Sequence, residues 1–337
     1  MAGIIFSVAS GLNESVFGKI QDPLKAFIDR ANEAWMSNDM NLAPKIFLPF
    51  RLDSNTGSIA QMGSLGEMEA VGENGAYPLG NREEGYRKVV QAEEWKYAVS
   101  ISQTAMEDGL DFIVKSSGQD LMDSYHRTRN NFFWGMMGAA LQNKHYARGG
   151  KTFSVSGADG VKLFAQEHPS KFDAKLKQCN AFSNAMSASV LGKIATEMQN
   201  AKNDNGEIIG LNPDTIVIPN TEKAKSDVFG IVGAYKDPDT AAGNRYNYQF
   251  GNWNVMVVPW LSALASGDSY PFFLMDSDYN KKHYGAMDVI RINPMVSSYV
   301  DEATDANVWK IRARFSGAFG DWRAFYAGGV SFGKALA

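Results

Sequence analysis

The chain has 337 residues, a net charge of −4, 45% hydrophobic and 12% aromatic residues, and a single cysteine. This length fits two domains or one elaborated domain, and the aromatic content is enough to bury a sizeable core. The slightly negative net charge argues against a protein whose main function is to bind phosphates. No apolar run approaches the ~18–20 residues that cross a bilayer. The single cysteine, Cys179, excludes an internal disulfide framework and fits a reducing cytoplasm.

Residues 1–55 are predicted to form an extended arm. Its best helix is QDPLKAFIDRANEAWM, where Asp22 is placed to cap and apolar side chains including Phe27 and Trp35 share one face. An arm this apolar without a core of its own needs another surface to pack on. Phe27 and Trp35 are therefore candidate contacts with a second subunit.

Residues 56–102 are predicted to form a long two-stranded ribbon. Its second strand alternates through Trp95, Tyr97, Val99 and Ile101, and a weaker first strand is expected around Gly66–Val71. An isolated ribbon is marginally stable in water, so it should lie on another part of the protein or on another subunit. The candidate inter-subunit residues on it are Tyr86, Arg87, Lys88, Trp95 and Tyr97.

The middle of the chain is predicted to be helical. Apolar side chains recur at helical spacing from Leu110 to Leu141, which gives one helix of roughly 48 Å, and a second helix is expected over 187–202. The remainder is rich in short strands, at DTIVIP, WNVMVVPWL, PFFLMD and MDVIRINP, with the helical NTEKAKSDVFGIVGA between the first two. A final strand alternates through Trp309, Ile311, Ala313 and Phe315. The fold class that follows is α+β.

Patterns of catalytic chemistry are weak. Asp276 and Asp278 in MDSDYN are spaced to hold a divalent cation if they lie on a strand, although a solvated turn is the commoner explanation. The four histidines lie far apart in sequence, without metal-ligand spacing. GGVSFGKA matches a phosphate-binding loop at Gly328, Gly333 and Lys334, but Ala335 lacks the hydroxyl that would hold Mg²⁺. We expect no catalytic, cofactor or metal site.

The order of these parts, together with SISQTAMEDGLDFI, DGVKLFAQEHPSK, NPDTIVIPNTEKAKSDVF, WNVMVVPWL and FGDWRAFYAGGVSF, resembles the major capsid proteins of tailed phages with the Hong Kong 97-like fold. Within these, the chain is most similar to the Mu-like major head subunit group. The resemblance implies an N-terminal arm (1–55), an E-loop ribbon (56–102), a P-domain with a spine helix (103–211), an A-domain (212–287) and C-terminal strands returning to the P-domain (288–337).

The function implied by the resemblance is structural. Copies of the chain would form pentamers and hexamers of an icosahedral head around double-stranded DNA, without sequence-specific binding and without a membrane. Scaffolding and portal proteins are implied partners, decoration proteins are an open option, and assembly would take place in the host bacterial cytoplasm. Residues 1–55 are too short for a scaffolding domain, so a separate scaffold or a processed chain is expected.

Some members of the resembled group join an E-loop lysine to a neighbour's asparagine. Lys88 and Lys96 are candidates, but no asparagine follows Asn307, so we expect no cross-link. Two alternatives stay open. One is an encapsulin-like compartment with protein cargo, and the other is a metal-dependent enzyme that uses Asp276 and Asp278.

Overall fold

The computed structural model describes most of the chain, namely residues 30, 32–38, 41–62, 68–73, 75–79, 84–107, 111–173, 175–236 and 246–336. Contacts between residues divide the chain into two compact units. The first is made of Met1–Gly57, Val90–Phe133 and Asp288–Gly317, and the second of Ser58–Val89, Trp134–Met287 and Ala318–Ala337. The five-part division implied by the family resemblance stays a prediction.

Residues 32–36 are helical, and the helices with both ends described are α1 (Ala43–Ile46), α2 (Gln103–Glu107), α3 (Asp111–Ala140), α4 (Ala188–Gln199), α5 (Glu222–Val232) and α6 (Ser277–His283), with 3₁₀ turns at Pro259–Leu264 and Trp322–Ala324. The predicted long helix is confirmed: α3 has 30 residues, about 45 Å at 1.5 Å per residue. The two shorter predicted helices are also present, as α4 and α5, and Ser187 and Thr221 cap them by accepting a backbone N–H three residues on. Among the described residues, no helix combines the length and the apolar character needed to span a bilayer.

The strands are β1 (Leu48–Arg51), β2 (Thr56–Met62), β3 (Glu84–Gln91), β4 (Glu93–Ile101), β5 (His145–Arg148), β6 (Lys151–Ser154), β7 (His168–Pro169), β8 (Lys177–Gln178), β9 (Thr215–Pro219), β10 (Asn254–Val258), β11 (Phe272–Met275), β12 (Ala286–Asp301), β13 (Ala306–Phe319) and β14 (Phe325–Gly328). They form two four-stranded sheets, in the orders β1-β12-β13-β4 and β10-β9-β11-β14, and three two-stranded pairs. The α+β class is confirmed.

The predicted pairing of the ribbon is wrong. β4, which carries the alternating run from Trp95 to Ile101, pairs antiparallel with β13, with Trp95 opposite Ala313 and Ile101 opposite Asn307. The two-stranded ribbon is instead formed by β2 and β3. The first strand expected around Gly66–Val71 is also wrong where it is described, because residues 68–71 are not in a strand. Alternation identifies the buried face of a strand but not its partner, and β4 finds that partner more than 200 positions away.

The core of the first unit lies where α3 packs on β4, β12 and β13. Leu121 and Met122 of the helix meet Val296, Trp309 and Ile311 of the strands. The predicted inward set on β13 is confirmed, since Trp309, Ile311, Ala313 and Phe315 are all buried. Burial of side chains of this size is the largest favourable contribution to folding here.

A buried ion pair ties α3 to β12 in the same unit. The guanidinium of Arg129 donates to Asp288 Oδ2 and lies 5.5–5.8 Å from the ring centroids of Tyr125, Phe133 and Phe315. Burial raises the pKa of the Asp288 carboxyl to about 6, although Arg129 opposes the shift. Removal of one partner alone would leave a buried charge uncompensated, which is costly.

The second unit is built on the sheet β10-β9-β11-β14. β9 is buried at every position and lies parallel to β10 and antiparallel to β11, with α5 connecting the two parallel strands. The part of α3 that belongs to the second unit contains Gly135, and a Cβ added at this position would lie 2.4 Å from the Tyr146 hydroxyl. Close packing, rather than helix propensity, explains a glycine inside this helix.

Candidate functional site

The carboxylate pair proposed for a metal does not form a site. Asp276 caps α6: its Oδ1 accepts from Tyr279 N at 2.8 Å and its Oδ2 from Asn212 N at 2.7 Å. The side chain of Asp278 is 79% exposed and pairs with Lys281. The two residues lie at the start of a helix and not on a strand, so their carboxylates do not share a face. Over the described part of the chain, no group of three or more His, Cys, Asp or Glu side chains is arranged to hold a metal ion.

Three of the four histidines make contacts within the fold. His168 is buried and bonds Asp159 Oδ2 at 2.6 Å, and His126 bonds Asn32 Oδ1 at 3.0 Å. Burial lowers the pKa of His126 to about 4, with the charge of Arg129 adding to the shift. His283 stacks on Tyr279.

The other two chemical candidates are also structural. The segment that matches a phosphate-binding loop leaves β14 at Gly328, forms a turn and bonds to residues 181–184, where Lys334 N donates to Ala181 O at 2.8 Å. It does not open onto a helix. Burial raises the pKa of the Cys179 thiol, which disfavours the reactive thiolate.

Three of the predicted contact residues lie on β3. Arg87 is exposed and forms a surface pair with Glu84 at 3.4 Å. Tyr86 is half-buried and donates to Pro169 O at 3.3 Å. Lys88 is buried and donates to Ser156 O, so its ammonium is occupied within its own chain. Of the three, Arg87 is the exposed one, and its contact with a neighbour stays a prediction.

Trp95 and Trp35 pack inside their own subunit. The indole of Trp95 stacks on Phe315 at 5.0 Å between centroids, and its Nε1 donates to Phe315 O at 3.0 Å. Trp35 stacks on His126 at 5.2 Å and donates to Asp123 Oδ1 at 2.5 Å. Phe27 lies outside the described residues. Tyr97 is 61% exposed and stays a candidate contact.

The apolar tip of the ribbon, defined as residues 68–79, was missed by the sequence analysis. Met68, Tyr77 and Leu79 are 99%, 92% and 95% exposed, and Val71 is also exposed. Isolated apolar residues at a surface are normal, but several large ones together mark a binding surface. The tip also carries Glu69 and Glu73 and, where described, no basic residue.

A basic groove lies on the sheet of the first unit. It has a volume of about 770 Å³ and is lined by Glu94, Lys96, Tyr97, Ala98, Met295, Val296, Ser297, Lys310, Ile311 and Arg312. Glu94 accepts from Lys96, at 3.0 Å, and from Arg312, and these bonds lower the pKa of its carboxyl. Lys310 Nζ lies 4.8 Å from the ring centroid of Tyr299. With three cations and one carboxylate, the groove is positively charged over an apolar floor.

A third exposed surface is an aromatic patch in the second unit. Tyr235, Tyr246 and Phe250 are in edge-to-face contact, with Tyr235 lying 5.4 Å from Tyr246 and 5.9 Å from Phe250. Buried Asn247 fixes this segment by donating to Ile231 O and Ala234 O at 2.6 and 2.8 Å. Rigid, exposed aromatic side chains are frequent at the centres of protein interfaces.

Solved structures share the fold of this chain. The capsid of Ralstonia phage GP4 aligns with a TM-score of 0.51 and 15% identity, over 81% of each chain. A Microbacterium phage Oxtober96 chain aligns with a TM-score of 0.47 and 13% identity, covering 87% of this chain and 90% of its own. A virus-like particle from Pyrococcus furiosus aligns with a TM-score of 0.45 and 9% identity, covering 91% and 97%. The alignment with the Ralstonia phage GP4 capsid supports the fold assignment, and the Hong Kong 97-like fold is confirmed.

No curated protein sequence gives a significant match. The model of the phage capsid protein family matches residues 85–328, which is more than two thirds of the chain and runs from β3 to the end of β14. This match favours a phage capsid over a compartment with protein cargo, and the narrower likeness to the Mu-like group stays a prediction. The chain belongs to the phage capsid protein family: it is a structural protein, a major capsid subunit of the virion and not an enzyme.

Proposed function

We propose that copies of this chain form the pentamers and hexamers of an icosahedral head, and that the ribbon clamps one subunit to the next. In this arrangement the tip of one copy, residues 68–79, lies in the basic groove of a neighbouring copy. The observation that carries the proposal is the near-complete exposure of Met68, Tyr77 and Leu79, because large apolar side chains at the end of a ribbon need a partner surface.

Charge and apolar character support the same pairing. Glu69 and Glu73 of the tip complement Lys96, Lys310 and Arg312 of the groove. Complementary charge fixes orientation and excludes wrong partners more than it adds affinity. The affinity would come from the apolar side chains, which find an apolar floor in the groove.

The aromatic patch lies within the predicted A-domain. We propose that it forms contacts around the centre of each pentamer and hexamer, where the resemblance puts that domain. The enclosed double-stranded DNA would be held by confinement, since a net charge of −4 does not favour tight binding to phosphates. Scaffolding, portal and decoration proteins, and assembly in the host bacterial cytoplasm, belong to the same proposal.

A charge exchange tests the clamp. Lys310→Glu puts a carboxylate in the groove and should prevent assembly, as should Glu73→Lys in the tip. The double variant restores opposite charges across the interface and should recover shells visible by negative-stain electron microscopy. Shells formed normally by both single variants would contradict the pairing.

A deletion provides the coarser test. Removal of residues 72–81 should leave a soluble, folded subunit that forms no shells, because these residues bury no core side chain in the described part of the ribbon. Circular dichroism controls for folding. Normal particles from this variant would rule out the ribbon as a clamp.

A further inference from the structure

The described part of the ribbon between Ser58 and Val89 gives its own unit no fully buried apolar side chain, although Ile59 and Ala60 on β2 are half-buried. On β3 the buried positions before Val89 are Gly85, which has no side chain, and Lys88. Polar contacts on β3 are therefore a main part of what fixes the ribbon.

Three side chains make these contacts, all of them to backbone carbonyls. Tyr86 Oη donates to Pro169 O at 3.3 Å, and Lys88 Nζ donates to Ser156 O. From the opposite side, Lys171 Nζ donates to Glu84 O and Gly85 O, each at 2.8 Å. The contacts cluster within five successive residues of β3 and join them to the segments around Ser156 and Pro169.

These two segments form a rigid seat because His168 joins them. Its Nδ1 lies 2.6 Å from Asp159 Oδ2, and its Nε2 lies 3.1 Å from Asn180 Oδ1. Asn180 is oriented by donating to Leu163 O at 2.8 Å through its amide nitrogen, so its oxygen faces the ring. The imidazole also stacks on Trp322 at 4.1 Å.

Charged groups surround the contacts on the seat side. Burial raises the pKa of the Tyr86 hydroxyl, the charges of Asp159 and Asp204 add to the shift, and Arg323 opposes it. Burial lowers the pKa of Lys88 to about 8, and Asp159 opposes this shift. Burial of the Lys88 ammonium therefore costs free energy, and the charge of Asp159 offsets only part of that cost. A buried apolar side chain would carry no such cost.

We propose that Tyr86, Lys88 and Lys171 form a polar latch, which sets the position of the ribbon and opens as a local event while the unit stays folded. Hydrogen bonds of this kind contribute little net free energy, because water replaces them when they break. A ribbon held mainly by them can leave its seat while exposing little apolar surface, since no apolar side chain described between Ser58 and Val89 is fully buried. This deepens the proposed clamp and rests on it: the latch would control the position from which the tip reaches a neighbour.

Hydrogen exchange, followed by mass spectrometry on the full chain, tests the latch. Lys171→Met removes the two bonds to β3, and Tyr86→Phe removes one hydroxyl while keeping the ring. Lys177→Met is the matched control, because Lys177 is an exposed lysine whose Nζ pairs with Glu167 at 2.8 Å and not with the ribbon. All variants are compared in the same oligomeric state, established by sedimentation.

We expect peptides covering β2 and β3 to exchange about tenfold faster in Lys171→Met, which corresponds to ~1.4 kcal/mol, and about threefold faster in Tyr86→Phe. Peptides covering β9, in the core of the unit, should exchange at the same rate as in Lys177→Met. This readout lies within one subunit, so failure of the latch is distinguishable from failure of the clamp, which is read from assembly.

Two results would overturn the proposal. One is exchange of β2 and β3 in both test variants at the rate of Lys177→Met, which would mean that these bonds do not hold the ribbon. The other is equal acceleration in β9, which would mean that they stabilise the whole unit and that the ribbon does not open by itself.

Discussion

Replacement of Leu79 by serine isolates the apolar part of the proposed clamp. The side chain is 95% exposed in the subunit, so the change should leave the free energy of unfolding of the subunit unchanged. Full burial of a leucine side chain against a neighbour contributes ~1.5–3 kcal/mol, and serine contributes almost none of this. If each copy gives one tip and receives one, assembly loses ~2 kcal/mol per subunit.

A loss of this size should raise the concentration needed for assembly about 30-fold. Light scattering and sedimentation over a concentration series measure that threshold directly. Ile208→Ser is the matched control, since Ile208 is apolar and 62% exposed but lies outside the ribbon. An unchanged threshold in Leu79→Ser, with the control also unchanged, would refute burial of the tip in a neighbour.

Three further outcomes follow from the structure. Trp95→Ala should lower the free energy of unfolding by ~3 kcal/mol in a denaturant titration, because the indole stacks on Phe315 within its own subunit. An unchanged free energy of unfolding would mean that Trp95 does not stabilise its own subunit and would favour a contact with a neighbour. Added salt should weaken assembly, because it screens the charges of the groove. Light scattering should show a smaller salt dependence for Lys310→Met than for the wild type. An identical salt dependence would mean that Lys310 is not part of the contact. For Lys88, the pKa is about 8 in the folded chain against 10.5 for a free lysine, so the folded state binds fewer protons between these values and stability should rise with pH across this window. Unfolding by urea should show that rise in the wild type relative to Lys88→Met, and parallel pH profiles of the two would contradict it.

The elements with local signals could be predicted from the sequence. Helical periodicity identifies α3 within one residue at each end, and the helices predicted over 187–202 and in NTEKAKSDVFGIVGA are present as α4 and α5. Alternation likewise identifies the buried face of β13. These features depend on residues only a few positions apart, so their patterns can be read from a single sequence.

Features that depend on distant residues could not be predicted. The partner of β4 is set by packing against α3 and β13, and no pattern within residues 93–101 identifies it. The strand predicted to end at Pro294 continues as β12 to Asp301, although proline usually stops a ladder because it has no N–H. Tertiary contacts along this long hairpin override the local signal.

The candidate site also depends on residues that lie far apart in sequence. Lys96 lies on β4, whereas Lys310 and Arg312 lie on β13, and only their pairing collects the three cations in one groove. Conversely, Trp95 and Lys88 were expected at an interface because the sequence indicates an apolar or charged side chain without its surroundings. In the fold, each of them bonds a carbonyl of its own subunit, and a contact with a neighbour stays a prediction for both.

Electron cryomicroscopy of the assembled shell is the most direct test of the central claim, that the ribbon tip of one copy lies in the groove of its neighbour. We expect density for residues 68–79 of one subunit over β4, β12 and β13 of the next, with Leu79 against the apolar floor and Glu73 within reach of Lys310. A shell in which the groove stays open, with the tip elsewhere or the ribbon folded on its own subunit, would contradict the account.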